Sequence, residues 1–158
     1  MRFSVGALIA LMVALLLLGG LAEWLVDWRQ IGPPSAAVSF EPTINGKSVT
    51  ISGVTDLPDG TILDWELIRG TYARSEIATL ISFDSVIVTG GRFTATTNGG
   101  PFRPGTILSV GVRFHPGIGQ PAATVERFGP NGEHLRGAGV LDASGSPVLL
   151  VTRELVAP

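Results

Sequence analysis

The stretch SVTISGVTDLPDGTILDWEL (residues 48–67) holds two short runs of alternating apolar and polar residues, one on each side of a turn. Alternation with a period of two places the apolar side chains on one face of a β-strand, whereas a helix needs a period of 3.6. The turn DLPDG is built from residues that favour tight reversals. The stretch therefore predicts two strands that each bury one face. Their inward residues are Val49, Ile51, Leu63, Trp65 and Leu67.

The same kind of run recurs along the rest of the chain, and no window after residue 36 has a helical apolar stripe. Short runs rich in Val, Ile, Thr and Phe alternate with clusters of Gly, Pro, Asn and Asp, which is typical of an all-β sandwich or barrel. Gly90-Gly91 is interpreted as a hairpin turn or bulge. The predicted strands lie at 37–40, 76–83, 85–97, 106–114, 123–128, 133–141 and 147–155.

Two segments of the chain resemble each other. LPDGTILDWEL (57–67) and FRPGTILSVGV (102–112) share Gly-Thr-Ile-Leu after a turn that contains Pro. A Pro/Gly turn reverses the chain and a β-branched pair then starts a strand. The likeness predicts two equivalent turn-to-strand junctions.

With its inward Trp65 and these two turns, the chain resembles the immunoglobulin-like β sandwiches of bacterial surface and envelope proteins over about residues 37–155. The resemblance implies that Trp65 is the core anchor on a middle strand. Two hallmarks are absent, because there is no Cys pair and Tyr72 does not stand where a tyrosine corner needs it. The resemblance is one of architecture and transfers no functional residue.

The N-terminal segment predicts a membrane anchor. Residues 3–22, FSVGALIALMVALLLLGGLA, carry no charge and are long enough for a helix to cross the hydrocarbon layer, which is about 30 Å thick. Arg2 precedes the segment, and Trp24 and Trp28 follow it as membrane-interface residues. We therefore expect a single transmembrane helix with an interfacial end over residues 1–28 and a cytoplasmic N-terminus.

The division of the remaining chain follows from this anchor. A stiff linker with two adjacent prolines spans 29–36, and 37–158 form an extracytoplasmic β domain. A cleaved secretory signal that ends at Ala22 is the alternative. Both interpretations deliver the β domain to the outside of the cell membrane.

Composition excludes several classes of function. The net charge of -2 is wrong for a nucleic-acid binder, and the absence of Cys excludes disulfides, thiolate metal sites and Cys nucleophiles. His115 and His134 have no neighbouring ligand with zinc spacing, so we expect surface roles for them. Asp56, Asp59, Asp64 and Glu66 cluster near one turn, but they lack the register of a calcium loop.

These observations favour a protein that acts by contact. We expect no catalytic residues, no cofactor and no metal, and a non-catalytic accessory or structural subunit of a larger membrane protein complex. Its partners would be the lipid bilayer and other membrane subunits. Outward apolar positions at Ile62, Ile68 and Ile87 indicate a covered surface. The alternative is a surface or secreted module that binds carbohydrate or peptide, and an enzyme is a third hypothesis.

Overall fold

The computed structural model describes residues 35–72, 78–117, 119–143 and 145–158. Within them the chain forms two antiparallel sheets and one short helix, so the predicted all-β class is confirmed. In the described part of the chain, no helix has the length and apolar character needed to cross a bilayer. The predicted anchor at 1–28, with Arg2, Trp24 and Trp28, lies outside the described residues.

Three strands form one sheet and five form the other. The smaller sheet has the order β1-β2-β5, made of β1 (Val38–Asn45), β2 (Ser48–Thr55) and β5 (Arg92–Asn98). The larger sheet has the order β4-β3-β6-β8-β7. Its strands are β3 (Ile62–Arg69), β4 (Thr79–Ile87), β6 (Ile107–Phe114), β7 (Val140–Ala143) and β8 (Ser146–Val156). The helix α1 (Ala122–Phe128) connects β6 to the β7–β8 hairpin.

Both sheets contribute to a single apolar core. Trp65 lies at its centre on β3 with 2% of its surface exposed. The alternation of each strand explains why, since every second side chain points toward the opposite sheet. Most fully buried large side chains come from β1, β2, β3, β6, β8 and α1, and two, Val88 and Leu135, come from loops. Those on the elements include Phe40, Ile51, Leu63, Leu67, Phe114, Phe128 and Leu149.

The two similar segments fold in the same way, which confirms the prediction of equivalent junctions. In the first turn, Thr61 N donates to Pro58 O (3.1 Å); in the second, Thr106 N donates to Arg103 O (3.0 Å). Gly60 and Gly105 both have positive φ, 85° and 79°, which favours glycine. The turns start β3 and β6, which pair antiparallel, so they lie at opposite ends of the larger sheet.

Two predicted strands are wrong. Residues 123–128, ATVERF, belong to α1, where Thr124 and Phe128 are buried four residues apart on one helical face. Residues 133–141 are mostly irregular, because Gly137 and Gly139 adopt positive φ that a regular strand does not allow. Only the last two residues of that run join β7.

The boundaries around β4 also differ from the prediction. The predicted strands 76–83 and 85–97 divide at residue 84, whereas β4 continues through this residue to Ile87. Thr89 and Arg92 then exchange two backbone hydrogen bonds around Gly90-Gly91, as in a hairpin turn. The turn does not join neighbours in one sheet, because β4 pairs with β3 and β5 pairs with β2.

Candidate functional site at a free sheet edge

The described sheets have four edge strands, and three of them carry features that discourage further pairing. β1 contains Pro42, which has no backbone N–H to donate. β7 is only four residues long. β5 begins with Arg92 and presents Thr and Asn on its outer side. β4 is less protected, because its nine residues contain no Pro, Gly, Lys or Arg, and its edge features are one charge, Asp84, and a β-bulge.

The outer side of β4 is apolar and exposed. Leu80, Phe83 and Ile87 are 57%, 55% and 60% exposed, and their cross-strand partners on β3 place all three on the solvent face. We call these three side chains the β4 apolar row. A β-bulge between Leu67 and Ile68 shifts the register of β4, so Leu80 joins the row and Ile81 packs on the core.

In addition to its ladder with β3, β4 contains a local hydrogen bond between a side chain and the backbone. Asp84 Oδ1 accepts a hydrogen bond from the N–H of Ser85 at 2.8 Å. Asp84 is the only charged residue of the strand, and it lies opposite Trp65 in the β3–β4 pairing. A charged side chain at a sheet edge discourages indiscriminate pairing, so Asp84 restricts which strands can add to β4.

A polar network covers the centre of the same sheet face. Glu66 Oε1 on β3 accepts hydrogen bonds from Arg113 Nη2 on β6 (3.2 Å) and from the Tyr72 hydroxyl (2.8 Å). Burial, and then the hydrogen bond to Glu66, raises the pKa of Tyr72, so this phenol remains protonated. The Tyr72 hydroxyl lies directly above Gly111, where a Cβ atom would collide with it.

This network ends before it reaches β4. Ser109 Oγ donates to Gly70 O (2.7 Å), and Thr71 donates to Glu154, so residues 70–72 lie over β6 and β8. Ser109 and Gly111 on the outer face of β6 are buried, while the outer face of β4 stays exposed. The same face also exposes apolar side chains away from β4, at Ile107 (40%), Leu141 (53%) and Val156 (62%).

The four acidic residues near the first turn bind four different partners. Asp56 contacts Arg127 and Asp59 accepts from Gly91 N, while Asp64 and Glu66 accept from Ser85 Oγ and Arg113. Their carboxylates do not converge on a shared space. Within the described ranges, no group of three His, Asp or Glu side chains could hold a metal ion.

The two histidines also lie apart. His115 follows β6, and His134 lies in the loop after α1, where its backbone N–H donates to Phe128 O (3.0 Å). Partial burial and then the charge of Arg113 lower the pKa of His115, while Asp64 acts in the opposite direction. Each side chain is placed by a loop of its own, and the two do not form a pair.

The outward apolar positions inferred from the sequence differ in how much of their surface is exposed. Ile87 belongs to the β4 apolar row, Ile68 is only 6% exposed, and Ile62 is half-buried. Leu80 and Phe83 were not identified from the sequence, because the predicted strand boundary at residue 84 broke the alternation that would have linked them to Ile87. The bulge between Leu67 and Ile68 leaves no signal in the residue pattern.

Comparisons with known proteins add no further constraint on this site. No protein-family model, no curated protein and no solved structure matches the chain.

Proposed function

We propose that this protein is a non-catalytic, single-pass membrane protein whose extracytoplasmic β domain binds another subunit of a membrane assembly. The observation that carries the proposal is the free edge of β4 with its exposed apolar row. A strand that adds to such an edge gains main-chain hydrogen bonds, and its side chains gain an apolar surface. This mode of binding needs no catalytic group.

The partner segment is an extended strand of another membrane protein, antiparallel to β4, with apolar residues at alternate positions and a Lys or Arg opposite Asp84. The charge balance of the site supports this choice. β4 carries one carboxylate and no cation, and Asp64 lies on the adjacent strand. A basic residue on the incoming strand would neutralise Asp84, whereas a neutral strand would leave its charge beside an apolar interface.

An immunoglobulin-like sandwich is the finer fold assignment that we propose for this domain. The order β1-β2-β5 corresponds to strands A, B and E of that fold, and β3-β6-β8 corresponds to C, F and G. In this scheme β4 extends the second sheet in the position of strand C′. Trp65 then stands on strand C, where such domains keep their core Trp.

The N-terminal sequence supports the membrane location. Residues 3–22 form an uncharged apolar run of spanning length, and the linker 29–36 extends no more than about 28 Å. A domain on so short a tether stays beside its membrane neighbours. The tether thereby raises the effective concentration of β4 toward a partner in the same bilayer.

Photo-crosslinking in native membranes tests this proposal. We would replace Phe83 with p-benzoylphenylalanine in the full-length protein and irradiate before solubilisation. Thr43, exposed on the Pro-protected edge β1, is the matched control position. We expect one dominant adduct with another membrane protein from position 83 and none from position 43. The same protein should co-purify in a fixed ratio, and Ile87→Lys should abolish both the adduct and the co-purification.

Three outcomes would contradict the proposal. The first is the absence of an adduct at position 83, and the second is the same set of adducts at positions 83 and 43. The third is an adduct with a second copy of this chain, which would replace the foreign partner with a homodimer.

A further inference from the structure

A cavity of about 480 Å³ lies where β3 ends and β6 begins. Arg69, Pro101, Arg103 and Thr106 line it. Two arginines that are 34 positions apart in sequence thus line the same space (103 − 69 = 34). The volume lies within the usual range for small-molecule sites, about 300–1,000 Å³.

Among the described residues, the two arginines of this cavity have no carboxylate partner. Across the described stretches of the chain, neither Arg69 nor Arg103 makes a salt bridge, whereas Arg113 and Arg127 each bind a carboxylate. Two positive charges around one cavity repel each other, and an anion between them would be stabilised by both. A guanidinium also offers a planar pair of donors that matches a carboxylate or a phosphate.

The backbone holds this cavity in place from both sides. Gly70 N donates to Ile107 O (2.9 Å), which fixes the end of β3 next to the start of β6. Gly105 N donates to Ala157 O (2.9 Å), and Ala157 N donates to Thr106 O (2.9 Å). Ligand binding therefore requires little ordering of the loop backbone, which lowers its entropic cost.

The β5–β6 loop directs Arg103 outward. Phe102 packs against the core, so its neighbours Pro101 and Arg103 are left at the exposed rim. The same loop is tied to the β1–β2 turn, because Gly100 N donates to Lys47 O (2.9 Å). Lys47 thus adds a third cation at this end of the domain.

We infer that this cavity, the Arg69–Arg103 cavity, binds a small organic oxyanion that carries a carboxylate or a phosphate. The two guanidiniums bind the anionic group, the Thr106 hydroxyl offers a hydrogen bond, and the Pro101 ring forms an apolar wall. The volume leaves room beside the anionic group for several further ligand atoms. This binding is separate from strand addition at β4 and does not depend on it.

Isothermal titration calorimetry on the full-length protein in a neutral detergent tests the inference. The probes are glucuronate, glucose 6-phosphate and uncharged glucose, which share one carbon skeleton. We expect saturable binding of one or both anions, weaker at high salt, and no binding of glucose. Binding of glucuronate alone would assign a carboxylate ligand, and binding of glucose 6-phosphate alone would assign a phosphate.

Variants locate the binding. Arg103→Gln and Arg69→Gln should each lower the affinity for the anion at least about tenfold, because each removes a charge-assisted pair of hydrogen bonds. Arg103→Lys keeps the charge but loses the planar fork, so it should give an intermediate affinity. Arg92→Gln, on β5 outside the cavity, is the control and should bind as the unchanged protein does.

The inference fails if neither anion gives saturable binding. It also fails if binding persists unchanged in the Gln variants, or if glucose binds as well as the anions do. Arg103 is an exposed loop residue, so Arg103→Gln decides the question even if Arg69→Gln impairs folding of β3. The urea midpoint of each variant provides the folding control.

Discussion

At the scale of single residues, Arg127 on α1 contacts two segments that are distant in sequence. Its Nη1 donates to Asp56 O (2.6 Å), and its Nη2 donates to Asp56 Oδ2 (2.8 Å) and to Ser35 O (2.8 Å). Its guanidinium lies 4.9 Å from the ring centroid of Phe128. Asp56 Oδ1 in turn accepts from Ala37 N (2.7 Å). One side chain thereby ties the start of the described chain to the β2–β3 turn.

We predict that Arg127→Gln destabilises the full-length protein by about 1–2 kcal/mol. This loss lies at the low end of the range for hydrogen bonds to charged groups, because both Arg127 and Asp56 are partly exposed to solvent. Urea unfolding followed by circular dichroism measures the loss. Arg92→Gln, at an exposed position on β5, should change the free energy of unfolding by less than about 0.5 kcal/mol. Equal losses for the two variants would show that this cluster contributes no specific stability.

His115 gives the protein a pH dependence with a definite sign. Partial burial and Arg113 lower the pKa of His115 in the folded state, below an unfolded value of about 6.5. The unfolded state therefore binds more protons, and stability falls as the pH drops below about 6.5, until the folded pKa is reached. We predict that His115→Gln reduces the loss of urea stability between about pH 7.5 and pH 5.5. His134→Gln is the control, and an equal effect of both changes would refute the prediction.

The residue contacts show where sequence reasoning stops. The inward positions of β2 and β3 could be predicted, because alternation is a local property. Asp56 binds Ala37 and Arg127, and the latter is 71 positions away. Such a partner depends on how α1 packs, which the pattern around residue 56 does not encode.

At the scale of elements, a buried pair of hydroxyl groups joins the β2–β3 turn to α1. Thr61 Oγ1 donates to Pro58 O (2.6 Å) and lies 2.7 Å from Thr124 Oγ1. A hydroxyl has one proton, so Thr124 must be the donor in the second bond. Neither residue is exposed to solvent.

This direction predicts unequal effects of two matched substitutions. Thr61→Val removes the acceptor for the Thr124 proton and one donor to Pro58 O. We expect it to lower the free energy of unfolding by about 1–3 kcal/mol. Thr124→Val removes one donor while Thr61 still donates to Pro58 O, so we expect the free energy of unfolding to fall by less than about 1 kcal/mol. Urea unfolding of both variants measures the difference. A larger loss for Thr124→Val would reverse the assigned donor.

The edge strand β4 allows a prediction about self-association. Asp84→Ala removes the only charge of the strand and releases the Ser85 N–H that it binds. We predict that the variant forms dimers or larger species in detergent at concentrations where the unchanged protein does not. Sedimentation velocity measures this. Glu41→Ala, beside Pro42 on edge β1, should stay unchanged, and association of both variants would point to a loss of solubility instead.

The secondary structure predicted from the sequence is wrong where local signals for helix and strand compete. ATVERF contains Thr, Val and Phe, which favour strands, but it forms α1 because its buried residues recur with helical spacing. Pro121 before it and Gly129 after it are helix boundary signals that could have identified it. The predicted strand 37–40 is too short, since β1 continues through Pro42 to Asn45. An edge strand tolerates Pro where the backbone N–H that it lacks would face solvent.

At the scale of the whole molecule, the two sheets present different outer faces. The cross-strand register gives the smaller sheet twelve outward positions, and nine of them are Ser, Thr or Asn. These nine are Ser39, Thr43, Asn45, Ser48, Thr50, Ser52, Thr94, Thr96 and Asn98. The larger sheet carries the β4 apolar row and, at one end, the Arg69–Arg103 cavity. Both proposed binding surfaces therefore belong to the five-stranded sheet, and the other sheet presents a hydrated polar face.

The proposed membrane tether makes a prediction about the full-length chain. The protein has no Cys, so one introduced thiol reports on one position. Ser39→Cys, exposed on β1, should react with a membrane-impermeant maleimide in intact cells. Ser4→Cys, at the N-terminal end of the apolar run, should react only after the membrane is permeabilised. Mass spectrometry should find residues 1–22 still attached, and the protein should stay with the membrane in alkaline carbonate. An N-terminus at Glu23 would instead identify a secreted protein, and β4 would then have no membrane to bring it to a partner.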